Sequence, residues 1–489
     1  MEVRQITTYA VNSKAVQEEK MIPVTLEADE ARILESGVIN LHPDITYQEI
    51  EGFGGALTET AAYLYSKMTE ENKKQFLEEY FGENGQHYRF LRMHIDSCDY
   101  SLTEYQAVED PIADPDFTTF TIDRDRKYMI PMLKDAMAMT AVPFSVLLSP
   151  WSPPKQWKTP PAKPKNDAAV YGGLPGFANP INYDEPSRCN GGSLKPEYYG
   201  AWAKYLAKYV QAYLDEGVPV TMMTLQNESV AATNWDSCVW TAAEQKTFLR
   251  DHLYPTFTEA GLAGKIGLYF WDHNKERMVD FARELIDDVT GPMLEGIAFH
   301  WYSGDHFEDL GLAHELFPDK KLMLSECCAL HPPGKAGFMG FSLPGGPTVR
   351  EVDLDDAAAY AHDIIGNLNN GMSRWIDWNL CVDKNGGPRH VASGFGAPVC
   401  ANEEDGTYRK LLTFDYIGHF SKYILPGAKR IAFSICDDKI DVTAAKNPDG
   451  TIVVVLLNRG VKDTSYAIRL EGKVIRLEVP AKTVNTVCI

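Results

Sequence analysis

Short apolar runs of strand type alternate with amphipathic stretches of helical periodicity along most of the chain. Eight strand-type runs occur, at residues 50–56, 88–95, 143–149, 220–226, 266–271, 296–300, 321–325 and 373–380. Helical stretches lie between several of them, at 58–80, 198–217, 242–260, 276–289 and 355–370. Eight strands that alternate with helices over this length predict an α/β fold of the (β/α)₈ TIM barrel type.

The pattern changes in the last part of the chain. Residues 431–460 have the pattern of two strands joined by a turn at Asn-Pro-Asp-Gly, residues 447–450, and strands at 465–470 and 473–480 extend this unit. The first 45 residues also have strand and turn character. We therefore expect a catalytic barrel over residues 46–425 and an attached small all-β sandwich domain formed by residues 1–45 and 426–489.

Composition and charge narrow the possible partners. The chain has 489 residues and a formal net charge of −21, and such a charge repels phosphate backbones at long range, so we expect no nucleic-acid partner. No run approaches the roughly 20 apolar residues that a membrane span needs, so no membrane span is predicted. The sequence leaves a homo-oligomer open.

The N-terminal residues and the cysteines indicate the compartment. Residues 1–14 lack the apolar core of a secretory signal. The nine cysteines are spread singly apart from Cys327 and Cys328, which is not the pattern of a disulfide framework. We expect a cytoplasmic protein.

Two glutamates follow buried-type strands directly. Glu228 follows the fourth predicted strand and Glu326 the seventh, and the active sites of TIM barrels lie at such strand ends. Hydrolysis of a glycoside with retention needs a pair of carboxylates about 5–5.5 Å apart, one as proton donor and one as nucleophile. A single glutamate is usually a solvated or ion-paired residue, but two at these positions favour catalysis.

Aromatic segments lie at other strand ends. They are Ser-Pro-Trp-Ser-Pro-Pro at 149–154, His-Trp-Tyr at 300–302 and Asp-Trp-Asn at 377–379. A single tryptophan is more often part of a core than of a sugar site. Three of them beside polar residues favour platforms for the apolar faces of a sugar.

Seven motifs in one order carry a resemblance to a known family. They are Glu-Gly-Phe-Gly-Gly-Ala-Leu-Thr at 51–58, the segment from Arg92 to Ser101, Ser-Pro-Trp-Ser-Pro-Pro, Gln-Asn-Glu-Ser at 226–229, His-Trp-Tyr, Ser-Glu-Cys at 325–327 and Asp-Trp-Asn. Between residues 51 and 380 the chain resembles glycoside hydrolase family 30, which includes lysosomal glucosylceramidase and bacterial β-glucosidases.

The resemblance implies a barrel with a β-domain built from both termini, retention of configuration, and no cofactor or metal. It implies that Glu228 is the acid/base and Glu326 the nucleophile. The other matched positions, which hold the sugar or position the nucleophile, are Asp99, Trp151, Asn227, Trp378, Tyr302 and Arg92. The chemistry agrees, because Arg92 would keep Glu326 ionised and a dry aromatic setting would raise the pKa of Glu228.

The chain departs from the family pattern in several places. Gln-Asn-Glu-Ser replaces the usual Asn-Glu-Pro, and a second cysteine, Cys328, follows Ser-Glu-Cys. Trp235 stands where the family often has a tyrosine beside the acid, so we assign it to substrate binding on the leaving-group side. Asp96 is a candidate extra polar contact. The Pro- and Gly-rich connection 157–195 is a candidate wall or lid, since loops of that length are usually functional.

We therefore expect an exo-acting β-glucosidase for small β-glycosides, because a cytoplasmic enzyme encounters imported sugars rather than polymers. Endo-β-1,6-glucanase, β-xylosidase and β-fucosidase activities are alternatives within the family. A non-catalytic carbohydrate-binding barrel is an alternative of another class, which the presence of both carboxylates disfavours. A metal-dependent hydrolase is a third, which the absence of a metal-ligand motif such as HExxH disfavours.

Overall fold

The computed structural model describes residues 2–11, 14–26, 37–140, 143–162, 182–333, 335, 348–391 and 394–489. Three strands open the chain: β1 (Glu2–Val11), β2 (Lys14–Leu26) and β3 (Val38–Ile50).

Eight parallel strands form a closed barrel at the centre of the molecule. They are β4 (Gly52–Ala56), β5 (Phe90–Ile95), β6 (Ser145–Pro150), β7 (Val220–Thr224), β8 (Gly267–Asn274), β9 (Gly296–His300), β10 (Lys321–Glu326) and β11 (Met372–Asn379). They neighbour one another in chain order, and β11 pairs with β4 to close the barrel. The predicted TIM barrel is thus confirmed, with all eight strands in the expected order.

Helices connect the barrel strands and cover their outer side. They are α1 (Glu59–Lys67), α2 (Glu70–Phe81), α3 (Asp123–Lys127), α4 (Met129–Met139), α5 (Tyr199–Asp215), α6 (Ala242–Phe248), α7 (Tyr254–Glu259), α8 (Met278–Leu285), α9 (Phe307–Leu316), α10 (Val349–Asn369) and α11 (Leu412–Ser421). Within the described ranges, no helix has the length and apolar character needed to cross a membrane.

Two predicted helices are interrupted in the structure. The stretch 58–80 is divided into α1 and α2, because Thr69 is extended and caps α2 by accepting a hydrogen bond from the backbone of Asn72. The stretch 242–260 contains a π-helical turn, Leu249–Leu253, just before Pro255 at the start of α7. Proline has no N–H for the regular helical bond, so the ladder is disrupted at this point.

The C-terminal part completes the second domain. After the hairpin of β12 (Val399–Asn402) and β13 (Thr407–Lys410) come β14 (Ala428–Ile435), β15 (Asp441–Lys446), β16 (Ile452–Asn458), β17 (Thr464–Leu470), β18 (Lys473–Val479) and β19 (Thr483–Cys488). With β1, β2 and β3 they form one sheet in the closed order β1-β19-β16-β15-β14-β3-β17-β18-β2. The expected small all-β sandwich domain is confirmed, and in the structure its strands come from both ends of the chain.

The structure differs in detail from the expected strands and boundary of this domain. Residues 431–460 belong to three strands rather than two, because Asp437 accepts a hydrogen bond from the backbone of Lys439 and makes an additional turn. The predicted turn at 447–450 joins β15 to β16. Strand β3 pairs with β14 as far as Ile50, so residues 46–50, which were expected to begin the barrel, belong to the sandwich.

The glycine pair in β4 has a packing reason. A Cβ atom on Gly54 would lie 1.9 Å from the backbone oxygen of Phe90, and one on Gly55 would lie 2.7 Å from a methyl group of Leu380. Only glycine lets β4 approach β5 and the residue after β11 this closely. These glycines therefore close the barrel.

Candidate active site

The polar side chains of interest lie in or just after the barrel strands, towards the carboxyl-terminal end of the barrel where TIM-barrel active sites are found. Arg92 lies within β5, Glu326 is the last residue of β10, and Glu228 follows β7. All three are buried. A buried charge is unfavourable unless it is paired, so the partners of these residues decide what the site can do.

Arg92 is the hub of the site. Its Nη1 donates to Glu326 Oε2 at 2.5 Å, and its Nη2 donates to Asn227 Oδ1 at 2.8 Å and to Asp272 Oδ2 at 2.9 Å. Its Nε donates to Ser149 Oγ at 3.0 Å. One planar guanidinium thus aligns the predicted nucleophile and the amide that precedes the predicted acid/base.

The second oxygen of Glu326 is held by Tyr302. The tyrosine hydroxyl donates to Glu326 Oε1 at 3.0 Å, and Cys328 Sγ lies 3.3 Å from the same hydroxyl. Because the hydroxyl has a single proton, the thiol is the donor of the second bond when Glu326 takes the first. Both carboxylate oxygens are therefore oriented, as a nucleophile requires.

A further carboxylate, that of Asp272, supports this arrangement through its bond to Arg92. His300 Nε2 lies 3.1 Å from Asp272 Oδ1, and Ser325 Oγ donates to the same oxygen at 2.5 Å. Burial raises the pKa of Asp272, but the charge of Arg92 and these hydrogen bonds outweigh it and hold the pKa below its usual range. Asp272 is thus an anion that fixes Arg92 and His300.

Glu228 has a different environment. It has a left-handed backbone, with φ of 49°, and its N–H donates to the backbone oxygen of Asp272 at 2.7 Å. Trp235 Nε1 donates to Glu228 Oε2 at 3.2 Å, and His273 Nδ1 lies 3.7 Å from Oε1. Burial and then the charge of Glu326 raise the pKa of Glu228 to about 7. Glu228 is therefore suited to donate a proton near neutral pH.

Two tryptophans form an aromatic wall beside the carboxylates. Trp151 and Trp378 are stacked, with ring centroids 5.3 Å apart, and the guanidinium of Arg92 lies 4.7 Å from the ring centre of Trp151. Trp301, the third strand-end tryptophan, is outside this stack because its ring packs against Tyr360 of α10, with centroids 4.9 Å apart. Of the segment 300–302, the tyrosine rather than the tryptophan faces the carboxylates.

Asp99 has no partner for one of its oxygens. It is 5 % exposed, and its Oδ1 accepts no hydrogen bond from the residues the structure describes. Burial and the charges of Glu326 and Glu228 raise its pKa well above the usual range. A buried carboxyl oxygen without a partner is expected to meet a hydroxyl of the ligand.

A buried ionic network connects three loops beside Asp99. Asp236 accepts from Arg188 Nε at 2.8 Å, and its other oxygen lies 3.0 Å from His390 Nε2. Lys158 donates to the backbone oxygens of Arg188 and Ser237. The loops after β6, β7 and β11 are thus held together, and with them Trp235, which adjoins Asp236.

Sequence reasoning missed several of these residues. Asp272 directly follows a predicted strand, as the two glutamates do, so the same rule would have found it. Arg188, Asp236 and His390 lie in loops far apart in the chain and have no such signal. Asp96, a candidate contact in the sequence, instead accepts bonds from Tyr205 and the backbone of Ala107 and has a structural role.

The predicted catalytic and sugar-binding side chains come together in one place. Arg92 contacts Asn227, Trp151 and Trp378. Tyr302 contacts Glu326, and Trp235 contacts Glu228. The charges of both glutamates act on Asp99. The connection 157–195 is described only at its ends, and residues 163–181 of this candidate lid lie outside the described residues.

Two groups of side chains in the described part of the chain have the composition of metal ligands. One consists of Glu228, His273 and His300, and the other of Cys189, Asp236 and His390. In each group, the ligands come from different strands or loops, so no spacing motif reveals them. In the second group, Asp236 is already paired with Arg188 and His390.

Models of known families match both domains. The model described as the glycosyl hydrolase family 30 TIM-barrel domain matches residues 50–424, and that described as the family 30 β-sandwich domain matches residues 427–487.

Several proteins and solved structures are similar to this chain over most of their length. The chain is 29% identical over 446 residues to lysosomal acid glucosylceramidase of Mus musculus, and the alignment covers 88% of this chain and 79% of that protein. It is 24% identical over 424 residues to an endo-1,6-β-D-glucanase of Trichoderma harzianum, with 84% and 78% covered. Among solved structures, SrfJ from Salmonella typhimurium has 30% identity and a TM-score of 0.86, with 100% of this chain and 99% of that chain covered. An endo-β1,6-glucanase has 25% identity and a TM-score of 0.80 at the same coverage.

Proposed function

Because this chain belongs to glycosyl hydrolase family 30 and is an O-glycosyl hydrolase, we propose that it is a retaining exo-β-glycosidase that releases glucose from small β-glucosides. The observation that carries the proposal is the bridge made by Arg92. It holds Glu326 at 2.5 Å and, at 2.8 Å, the amide of Asn227 next to Glu228. A nucleophile bound to this guanidinium, and an acid/base next to the amide that the same guanidinium holds, match the demands of double displacement.

In the first step, Glu326 attacks the anomeric carbon of the sugar. The bond from this carbon to the leaving oxygen breaks, and that oxygen takes the proton of Glu228. The raised pKa of Glu228 keeps this proton available near neutral pH. The product is a covalent glycosyl ester on Glu326 and a free alcohol.

In the second step, the ionised Glu228 takes a proton from a water molecule. The water oxygen bonds to the anomeric carbon, and the ester bond to Glu326 breaks, which releases the sugar and restores both carboxyl groups. Arg92 and Tyr302 stabilise the departing carboxylate through the hydrogen bonds they make to its two oxygens.

Asn227 is oriented to bind the sugar. Its Oδ1 is occupied by Arg92, so its Nδ2 is left to donate to a sugar hydroxyl. A bond to the 2-hydroxyl strengthens in the transition state. Trp151 and Trp378 supply the apolar surface against which the sugar packs.

The exo mode is supported by the ionic network beside Asp99. Arg188, Asp236 and His390 join three loops there, and the charges of His390 and Asp236 both act on Asp99. Asp99 offers a buried oxygen without a partner in the described residues to the sugar held before the scissile bond. In the proposed exo mode, these fixed loops are the wall beyond the single bound sugar.

The substrate is tested with a panel of nitrophenyl β-glycosides together with gentiobiose and a β-1,6-glucan. We expect turnover of the β-glucoside and release of glucose as the first product from gentiobiose and from chain ends. Endo-β-1,6-glucanases occur among the similar proteins and solved structures, so the panel includes their substrate. An early ladder of oligosaccharides from the glucan would identify that activity. Preference for the xyloside or fucoside would favour the other two alternatives, and no turnover of any glucoside would refute the proposal.

The pH dependence of activity reports on Glu228 and Trp235. Glu228 must begin the cycle protonated, so kcat/KM should fall as the pH rises through its pKa of about 7. The bond from Trp235 favours the ionised form and lowers this pKa. In Trp235→Phe the pKa should therefore rise, and the basic limb of the kcat/KM profile should move to higher pH.

A substrate with dinitrophenolate as leaving group is the control for this experiment. This leaving group departs with little protonation, so its kcat/KM should depend less on the ionisation of Glu228. A basic limb that moved to lower pH in Trp235→Phe would contradict the assigned hydrogen bond.

A further inference from the structure

Two imidazole side chains lie against the carboxylate of Glu228. His273 Nδ1 is 3.7 Å from Glu228 Oε1, and the rings of His273 and His300 meet edge to face with centroids 6.4 Å apart. One potential ligand atom from each of Glu228, His273 and His300 lies within 4.8 Å of the other two. The steps of glycoside hydrolysis described above give neither histidine a proton to transfer.

Both imidazoles have a nitrogen without a partner. His273 Nδ1 and His300 Nδ1 are buried and form no hydrogen bond with the described part of the chain. Buried polar atoms are nearly always paired in folded proteins, so each exception suggests an additional ligand. Here, two such atoms belong to the group that surrounds one carboxylate.

The surroundings of His300 are those of a metal-binding histidine. Its Nε2 lies 3.1 Å from Asp272 Oδ1, and Asp272 is itself held by Arg92 and Ser325. Histidines that bind metals usually donate their second nitrogen to such a carboxylate, which fixes the ring and leaves the first nitrogen free to coordinate.

We propose that Glu228, His273 and His300 form an inhibitory site for a divalent transition-metal ion of the zinc or copper(II) type. The ligands are one oxygen of Glu228 and the Nδ1 atoms of the two histidines, a set of imidazole and carboxylate donors that these ions prefer. Bonds to zinc are about 2.0–2.2 Å long, so the three atoms move inward by about an ångström on binding.

The local charge favours a cation at this place. Two carboxylates, Glu326 and Asp272, share the one guanidinium of Arg92, and the negative charges of both act on Glu228. An ion on Glu228 occupies the oxygen that would carry the catalytic proton. Binding of the metal and protonation of the leaving group therefore exclude each other. Inhibition follows because Glu228 is both the metal ligand and the proton donor.

The test is a titration of the protein with zinc in a buffer that does not bind metals. Calorimetry measures the binding, and the rate of hydrolysis of a nitrophenyl β-glucoside measures the inhibition. His273→Gln removes one ligand and keeps a polar side chain, and Cys189→Ser removes a ligand of the other metal-type group. Magnesium, which prefers oxygen ligands, is the control ion. Thermal melting shows that each variant is folded.

We expect zinc to bind and inhibit the wild type and Cys189→Ser alike. Zinc should bind His273→Gln at least about tenfold more weakly, because loss of a supporting contact alone costs that much. Magnesium should have no effect. Absence of zinc binding to the wild type, undiminished binding to His273→Gln, or loss of binding in Cys189→Ser would each overturn the proposal. The calorimetric result does not depend on turnover, so it stands apart from the proposed glycosidase activity.

Discussion

Glu326→Ala is expected to lower kcat on a nitrophenyl β-glucoside at least about 10⁴-fold, as the loss of a catalytic nucleophile does elsewhere. Without this carboxylate, no covalent intermediate forms, and water must attack the anomeric carbon directly. Azide should restore part of the rate, because it is small enough to enter the space left by the side chain. Its single displacement would give the α-glycosyl azide, which proton NMR identifies from the coupling between the anomeric proton and the proton on the next carbon.

Glu295→Gln is the matched control for this variant. Glu295 is a partly buried carboxylate of the barrel, paired with Arg374 and Lys321, and it precedes β9 at the opposite end, where barrel residues contribute to stability. We expect a lower melting temperature with kcat unchanged. A β-glycosyl azide from Glu326→Ala, or a loss of kcat below tenfold, would refute Glu326 as the nucleophile.

Glu228→Ala is expected to have an effect that depends on the leaving group. With alkyl glucosides, which need a proton on the departing oxygen, kcat/KM should fall about 10²–10⁴-fold. With a dinitrophenyl glucoside, kcat/KM should fall far less, since this leaving group departs as the anion. The ester on Glu326 then accumulates, because the base that activates water is missing, and a burst of dinitrophenolate should be seen in stopped-flow measurements.

Azide distinguishes this variant from the nucleophile variant. It should attack the accumulated ester without general-base help and give the β-glycosyl azide after two displacements. Trp235→Phe, which leaves the carboxyl group in place but removes its hydrogen bond, is the comparison and should retain a rate on alkyl glucosides. Equal losses on alkyl and dinitrophenyl glucosides in Glu228→Ala would contradict its role as acid/base.

Short-range patterns account for much of what could be predicted. The eight barrel strands were found because each is a short apolar run, and because helical stretches separate several of these runs. Glu228 and Glu326 were found because each directly follows such a run. The interrupted helices were missed, since the cap at Thr69 and the effect of Pro255 were outweighed by a continuous helical periodicity.

The extent of the sandwich was harder to predict. Strand β3 continues to Ile50 because β14 offers it backbone partners, and the pairing residues are separated by almost the whole barrel. The ionic network of Arg188, Asp236 and His390 has the same origin, since its members lie in separate loops. Neither feature leaves a local pattern in the chain.

The sequence by itself determined the fold class and the family and singled out the two glutamates as candidates, because strand periodicity and motif order are properties of neighbouring residues. Only the tertiary structure decided how these glutamates differ. Glu326 is held by Arg92 and Tyr302, whereas burial and the charge of Glu326 raise the pKa of Glu228 to about 7. It also decided that His273 and His300 lie against Glu228. Electrostatic and ligand interactions depend on distance and burial, which arise only when the barrel closes.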